Sequence, residues 1–246
     1  MQLNKKWLAK NLNFILLGVL TVSVVANQAV LANTNKVMGI EAGALPSLSV
    51  NFLKILRGGA KLSGNLGEDA VKLVFMQGAP EVYGAELNVN YDDVQNSMNV
   101  MKQFDLGYGN NKPALSAEEK KRYTAINLRI SCEFCCGAAA IVFENGEASC
   151  GCAHSQAMRG LTAYLIKNHG AEYSDDEILR ELAKWKGRYF PKQMVQKMTE
   201  QIQSSQFTPD IASLLLDVKL PKYGANSQPA PIPSDIKNLP SMVGGC

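Results

Sequence analysis

Charge of one sign is what this sequence most lacks. Its 25 Lys and Arg against 22 Asp and Glu leave a formal net charge of +3 over 246 residues. No basic stripe with interleaved aromatic residues breaks that balance, so a nucleic-acid partner is not expected. Cysteine is also too sparse, at six residues, for a disulfide-dense miniature scaffold. After residue 32 no stretch is apolar enough to cross a membrane as a helix, which takes roughly 20 residues. There is no internal repeat, no phosphate-binding glycine loop and no Ser/His/Asp arrangement. What is present is ample apolar material: 46% apolar against 19% charged residues supports a packed core and excludes wholesale disorder. The length allows one large or two small domains.

Residues 1–32 read as a targeting segment. Lys5, Lys6 and Lys10 form a cationic start, and Phe14 to Ala26 is an almost unbroken apolar run. Val30-Leu31-Ala32 then supplies residues of the kind a signal peptidase accepts. A cleaved secretory signal is the first reading. An uncleaved N-terminal membrane anchor is the second, because the positive charges precede the run. Either places the rest of the chain outside the cytoplasm, as a periplasmic, extracellular or outer-side membrane-anchored protein.

The remainder divides into a helical N-terminal region (33–115), a helical domain (116–218) and a Pro/Gly-rich tail (219–246). In the first region, Leu48 to Leu56, Ala70 to Met76 and Tyr91 to Phe104 look helical, and Pro80 to Gly84 resembles a one-turn helix with Pro leading. Met76, Met98 and Met101 tempt one toward a thioether copper site, but methionine at helical spacing on an apolar face is more often core filler. Ser116-Ala117-Glu118-Glu119 and Ser174-Asp175-Asp176-Glu177 are capping boxes, in which Ser and Glu satisfy each other's free amides. Tyr123, Ile126 and Ile130 stripe the first of those helices. Ala157, Met158, Leu161 and Leu165 mark another helix to about Asn168, and Ile178, Leu182 and Trp185 recur on the next. Pro191 starts a further helix, and Thr208-Pro209-Asp210 caps a last one through Leu216.

Five of the six cysteines lie between Cys132 and Cys152. The order is a Cys132-x2-Cys135 knuckle followed by Cys136, a strand-like Ala140 to Phe143, the hairpin signal Asn145-Gly146, then Cys150, Cys152 and His154 at a helix start. The knuckle aims two sulfurs at one spot, and a hairpin returns the chain to it. The helix start then adds ligands, its positive dipole end stabilising thiolate charge. The fold class expected is therefore mainly α with one small β-hairpin. A treble-clef or zinc-knuckle-like Cys/His module would be embedded in the helical domain.

Cys132, Cys135, Cys150 and His154 form C-x2-C-x14-C-x3-H, a spacing compatible with tetrahedral zinc. Cys136 and Cys152 are left over, and such an excess of soft sulfur suits Cu(I), or two metals sharing thiolates. Ferredoxin spacings are absent. Two other readings stay open: redox-active thiols at Cys132 and Cys135, and purely structural disulfides joining the knuckle to Cys150 or Cys152. Cys246 is a spare thiol, a partner for the odd cysteine, or a ligand brought by the tail. His169 suits a helix C-terminus and reads as structural. Arg159 is in reach to soften the negative charge of a thiolate cluster, although a solvated arginine is the commoner case, and Gly160, costly inside a helix, points to close packing. Glu133, Glu144 and Glu147 read as solvent-facing.

The run Cys150-Gly151-Cys152-Ala153-His154-Ser155, with Ser174 to Ile178 after it, resembles exported proteins of unknown function named for a Pro-Cys-Tyr-Cys-Gly-Cys motif. This chain lacks the Pro-Cys-Tyr portion. Cys132-x2-Cys135 with Arg159, the helix from Ser174 and Arg188-Tyr189 is similar to the cytochrome c maturation thioreductases, which implies a Cys-x2-Cys that reduces haem-binding cysteines. Both resemblances span about residues 130–190. The expectation is an exported zinc- or copper-binding protein, a carrier, buffer or assembly factor rather than an enzyme, with a membrane or cell-envelope protein as a further partner.

Overall fold

Local capping chemistry starts most of the helices among the described residues. A computed structural model describes residues 62–223 and 238–245. The targeting segment, the helix expected over Leu48 to Leu56, and Cys246 lie outside the described residues, which all belong to the unit Lys54–Cys246. Asn65 caps α1 (Leu66–Val74), its side chain accepting the amides of Gly67 and Glu68. A single turn, α2 (Gly84–Leu87), follows Pro80 instead of containing it. Asp93 caps α3 (Val94–Met101), which tightens into a 3-10 turn, Lys102–Phe104. Ser116 and Ser174 close complete capping boxes on α4 (Ala117–Asn127) and α6 (Asp175–Tyr189). Pro191 opens α7 (Pro191–Ser204), and Pro209 opens α8 (Pro209–Leu214).

The helix that matters most for the site is α5 (Ala153–His169), whose N-cap is Cys152. It is buried nearly all round, including Ala157, Met158, Gly160, Leu161, Ala163, Leu165 and Ile166, as expected of a helix at the centre of a bundle. Helices α3, α4 and α6 and the 3-10 turn pack around it, while α7 lies on α1 and α8 on α6. Gly160 explains the closeness of one of these approaches. A Cβ there would lie 2.0 Å from the Met101 carbonyl oxygen, so only glycine lets the end of α3 meet α5. Met98 and Met101 are fully buried in the core, and Met76 packs against it partly buried.

No two-stranded hairpin forms. The chain does reverse at Asn145-Gly146, with Gly146 at φ 83°, but the arms share one isolated antiparallel bridge, Val142 to Ala148. The reason lies in where the flanking backbone groups are spent. The Ile141 amide donates back to the Ile130 carbonyl. The Ala140 carbonyl accepts from the Ser149 hydroxyl, and the Cys150 carbonyl accepts from Arg159. A ladder cannot extend past groups already committed elsewhere. Among the described residues no helix is long and apolar enough to cross a membrane.

Candidate metal centre

The knuckle is a tight turn in which the amides of Cys135 and Cys136 both donate to the Cys132 carbonyl, at 3.1 and 3.2 Å. Gly137 follows in the left-handed region, at φ 70°, and turns the chain away. The reversal at Asn145-Gly146 then brings Cys150 and Cys152 back to the knuckle. The result is two overlapping groups of sulfur. Cys132, Cys135 and Cys152 lie within 4.8 Å of one another, and so do Cys136, Cys150 and Cys152. Cys152 belongs to both. Sulfurs bonded at 2.3 Å to one tetrahedral ion sit about 3.8 Å apart, so each group needs only a small contraction to hold a metal. Cys132, Cys136, Cys150 and Cys152 are free thiols.

Exposure is graded across the cluster. Cys132 is buried, Cys150 and Cys152 are half-buried, and Cys135 and Cys136 are exposed. Cys132 and Cys152 stand 3.5 Å apart, sulfur to sulfur. The Cys152 sulfur also accepts the Ser155 amide at 3.4 Å, as an N-cap should, and lies 3.3 Å from the Ser155 hydroxyl. The hydrogen bond from Cys132 pulls the Cys152 thiol far below its ordinary range, against the cost of burial, and the nearness of His154 and Ser155 adds to this. The same bond, together with burial, pushes Cys132 strongly up. The pair stands at the positive end of α5, where a helix N-terminus favours thiolate charge. Burial pushes Cys150 up to about 11.

The expected tetrahedral set of Cys132, Cys135, Cys150 and His154 is not the set the fold brings together. Cys150 falls in the second group, and His154 falls in neither. The imidazole is fully buried between Tyr189 and Phe190, with ring centroids 4.9 Å from each. Its Nε2 lies 3.0 Å from the Val243 carbonyl, which can only accept, so Nε2 carries a proton. Nδ1 is buried without a hydrogen-bond partner. The C-terminal segment is therefore docked on the site: the Val243 amide donates to the Tyr189 carbonyl, and the Gly245 amide to Gln95. His169 is structural, held between Glu86 and Glu172 near the end of α5.

The solvated arginine expected at 159 is not what the fold holds. Arg159 is fully buried, not solvated. Two of its guanidinium nitrogens grip the fully buried Asp105 carboxylate at 2.9 and 2.8 Å. The third donates to the carbonyls of Ile141 and Cys150, at 3.0 and 2.9 Å. One side chain on α5 thus fixes both arms of the cysteine loop. Burial alone would lower its pKa, but the Asp105 carboxylate raises it, so the charge is retained.

Glu133 lies exposed in the knuckle turn, as expected, but it also makes long-range ion pairs. Inside the knuckle, it pairs with the fully buried Lys186 at 2.9 Å and with Lys197 at 2.7 Å. Both lysines also reach Asp210 on α8. These ion pairs, with Phe134 against Phe190, moor the knuckle to α6, α7 and α8. No family model, curated protein or solved structure matches the chain. The two resemblances seen in the cysteine motifs therefore rest on those motif residues alone.

Proposed function

We propose that this protein binds a soft metal ion, zinc or copper, through the thiolates of Cys132, Cys135, Cys136, Cys150 and Cys152. His154 backs the cluster and is available to it through Nδ1. The observation that carries the reading is the gathering of all five sulfurs into two groups, each within 4.8 Å. Thiolate is the ligand class that zinc and Cu(I) favour. The positive end of α5 favours thiolate charge on Cys152, which lowers the proton cost of binding.

The exposure gradient favours a carrier, buffer or assembly factor over a structural site. Structural zinc is closed in by its ligands, whereas here Cys135 and Cys136 face solvent and leave room for an exchanging partner thiol. The knuckle-like turn, the chain reversal and the helix start supply the ligands in the order of a treble clef, without its strand pair. The N-terminal cationic and apolar run supports export and a partner in the cell envelope.

Metal analysis of the purified full-length protein tests the reading, beside Cys132→Ser and Cys150→Ser variants. At least one zinc or copper per chain in the wild type, falling in both variants, is expected. Sub-stoichiometric metal in every preparation, loaded or as isolated, contradicts it. A second reading has its own observation: the 3.5 Å Cys132–Cys152 approach gives a dithiol that could reduce a substrate disulfide. The pair would close to a disulfide as the substrate sulfurs take two electrons and two protons. That reading shifts the reactive pair from Cys132/Cys135 to Cys132/Cys152. It requires one of the two to alkylate rapidly in reduced, metal-free protein.

A further inference from the structure

We propose that, given the metal-binding reading above, the cluster holds two Cu(I) ions per chain, each bound by three sulfurs, with Cys152 bridging them. One ion takes Cys132, Cys135 and Cys152, and the other takes Cys136, Cys150 and Cys152.

The bond count among the described residues favours Cu(I). Five sulfurs, one of them shared, offer six metal–sulfur bonds. Two three-coordinate ions use all six. Two tetrahedral zinc ions need eight, and the described residues bring no further ligand into either group. Even His154 Nδ1 would leave that demand unmet. One tetrahedral zinc, for its part, would draw a fourth sulfur from the other group and strand the remainder. Cu(I) is the soft, thiolate-seeking ion that accepts a plane of three sulfurs. At a bond length of 2.3 Å, such a plane sets its sulfurs about 4.0 Å apart, inside the 4.8 Å limit of each group.

The position of Cys152 explains why it is the bridge. A bridging thiolate is the most negative ligand in such a cluster. Cys152 is the N-cap of α5, accepting the Ser155 amide at the positive end of a 17-residue helix. Of the other four cysteines, Cys132, Cys135 and Cys136 sit in the knuckle and Cys150 on the returning arm, and each sulfur group takes two of the four. Arg159 holds the loop arm in place through the Ile141 and Cys150 carbonyls, so the second group does not depend on the first being filled. Each thiol that still carries a proton releases it to solvent as its copper–sulfur bond forms, and no electron changes hands.

The test is anaerobic titration of the reduced full-length protein with Cu(I), buffered by a chromophoric Cu(I) chelator. Native mass spectrometry counts the ions, and copper-edge X-ray absorption counts the sulfurs per ion. Two ions per wild-type chain with three sulfurs each are expected. Cys135→Ser and Cys136→Ser, both at exposed positions, should each keep one three-sulfur ion. Cys152→Ser should keep none. Serine keeps the cap of α5, and the Cys135 and Cys136 variants decide the matter independently of it. A single ion per wild-type chain, or two three-sulfur ions surviving in Cys135→Ser, overturns the shared-thiolate arrangement and leaves the metal-binding reading standing. No copper and no zinc at any ratio overturns both.

Discussion

Replacing Arg159 by Met should be among the most damaging single changes in the domain. The side chain and its Asp105 partner are both fully buried, so the variant leaves a carboxylate in the core without its cation. Breaking a buried pair in this way costs about 3–5 kcal/mol. The Ile141 and Cys150 carbonyls also lose a donor, although the Ile141 carbonyl keeps a 3.3 Å bond from the Ser149 amide. Against a total stability of roughly 5–15 kcal/mol, a loss of about 4 kcal/mol is severe. With an m value of about 2 kcal/mol per molar urea, the midpoint should fall by about 2 M. Urea unfolding of the reduced, metal-free protein, followed by circular dichroism, reads this directly. The double variant Arg159→Met with Asp105→Leu should recover a good part of the loss, because an apolar pair replaces a stranded charge. A single-variant loss under about 1 kcal/mol, or a double variant no better than the single, would refute the reasoning.

Gly160→Ala would gain about 1 kcal/mol at an ordinary helical site. Here it should lose about 2 kcal/mol or more, since its Cβ meets the Met101 carbonyl at 2.0 Å; a neutral or higher urea midpoint contradicts that. Cys152→Ala should cost the metal-free protein about 1 kcal/mol through the lost N-cap, whereas Cys152→Ser should stay within a few tenths, serine being a good cap; equal losses in the two would show that capping is not the cause. Asp210 has its carboxyl held well below the usual range: burial opposes this, but the charges of Lys186 and Lys197 prevail. A depressed folded-state value means the stability it contributes is present above the unfolded carboxylate range, about pH 4, and is lost as pH falls below it. Acid titrations of wild type and Asp210→Asn should therefore diverge in that window, the variant showing the shallower fall; parallel curves would remove Asp210 from the account.

Helix starts were legible in the sequence because capping is local. Ser116 and Ser174 carry their Glu partners three residues on, and Pro191 announces its own helix. The crowding of cysteines was equally plain. What could not be read was anything decided by a distant partner. Arg159 looks solvated until Asp105, 54 residues earlier, is placed beside it. Glu133 is the exposed turn residue it looks like, but its pairing with the buried Lys186, 53 residues on, could not be read. The hairpin failed for a related reason. Asn145-Gly146 predicted the reversal correctly, but the ladder's flanking groups go to Ile130, Ser149 and Arg159, which no short-range pattern reveals. His154 was placed near the cluster by its spacing. Its engagement with Val243 depends on a tail that periodicity could not position.

The most direct test of the central claim is to count which cysteines a metal protects. Reduced full-length protein, with and without bound Cu(I) or zinc, is exposed to an alkylating tag and mapped by peptide mass. Loaded protein should tag slowly at Cys132, Cys135, Cys136, Cys150 and Cys152, while the metal-free protein tags quickly at the exposed Cys135 and Cys136. Equal tagging of the exposed pair in both states would mean that these sulfurs are not the ligands.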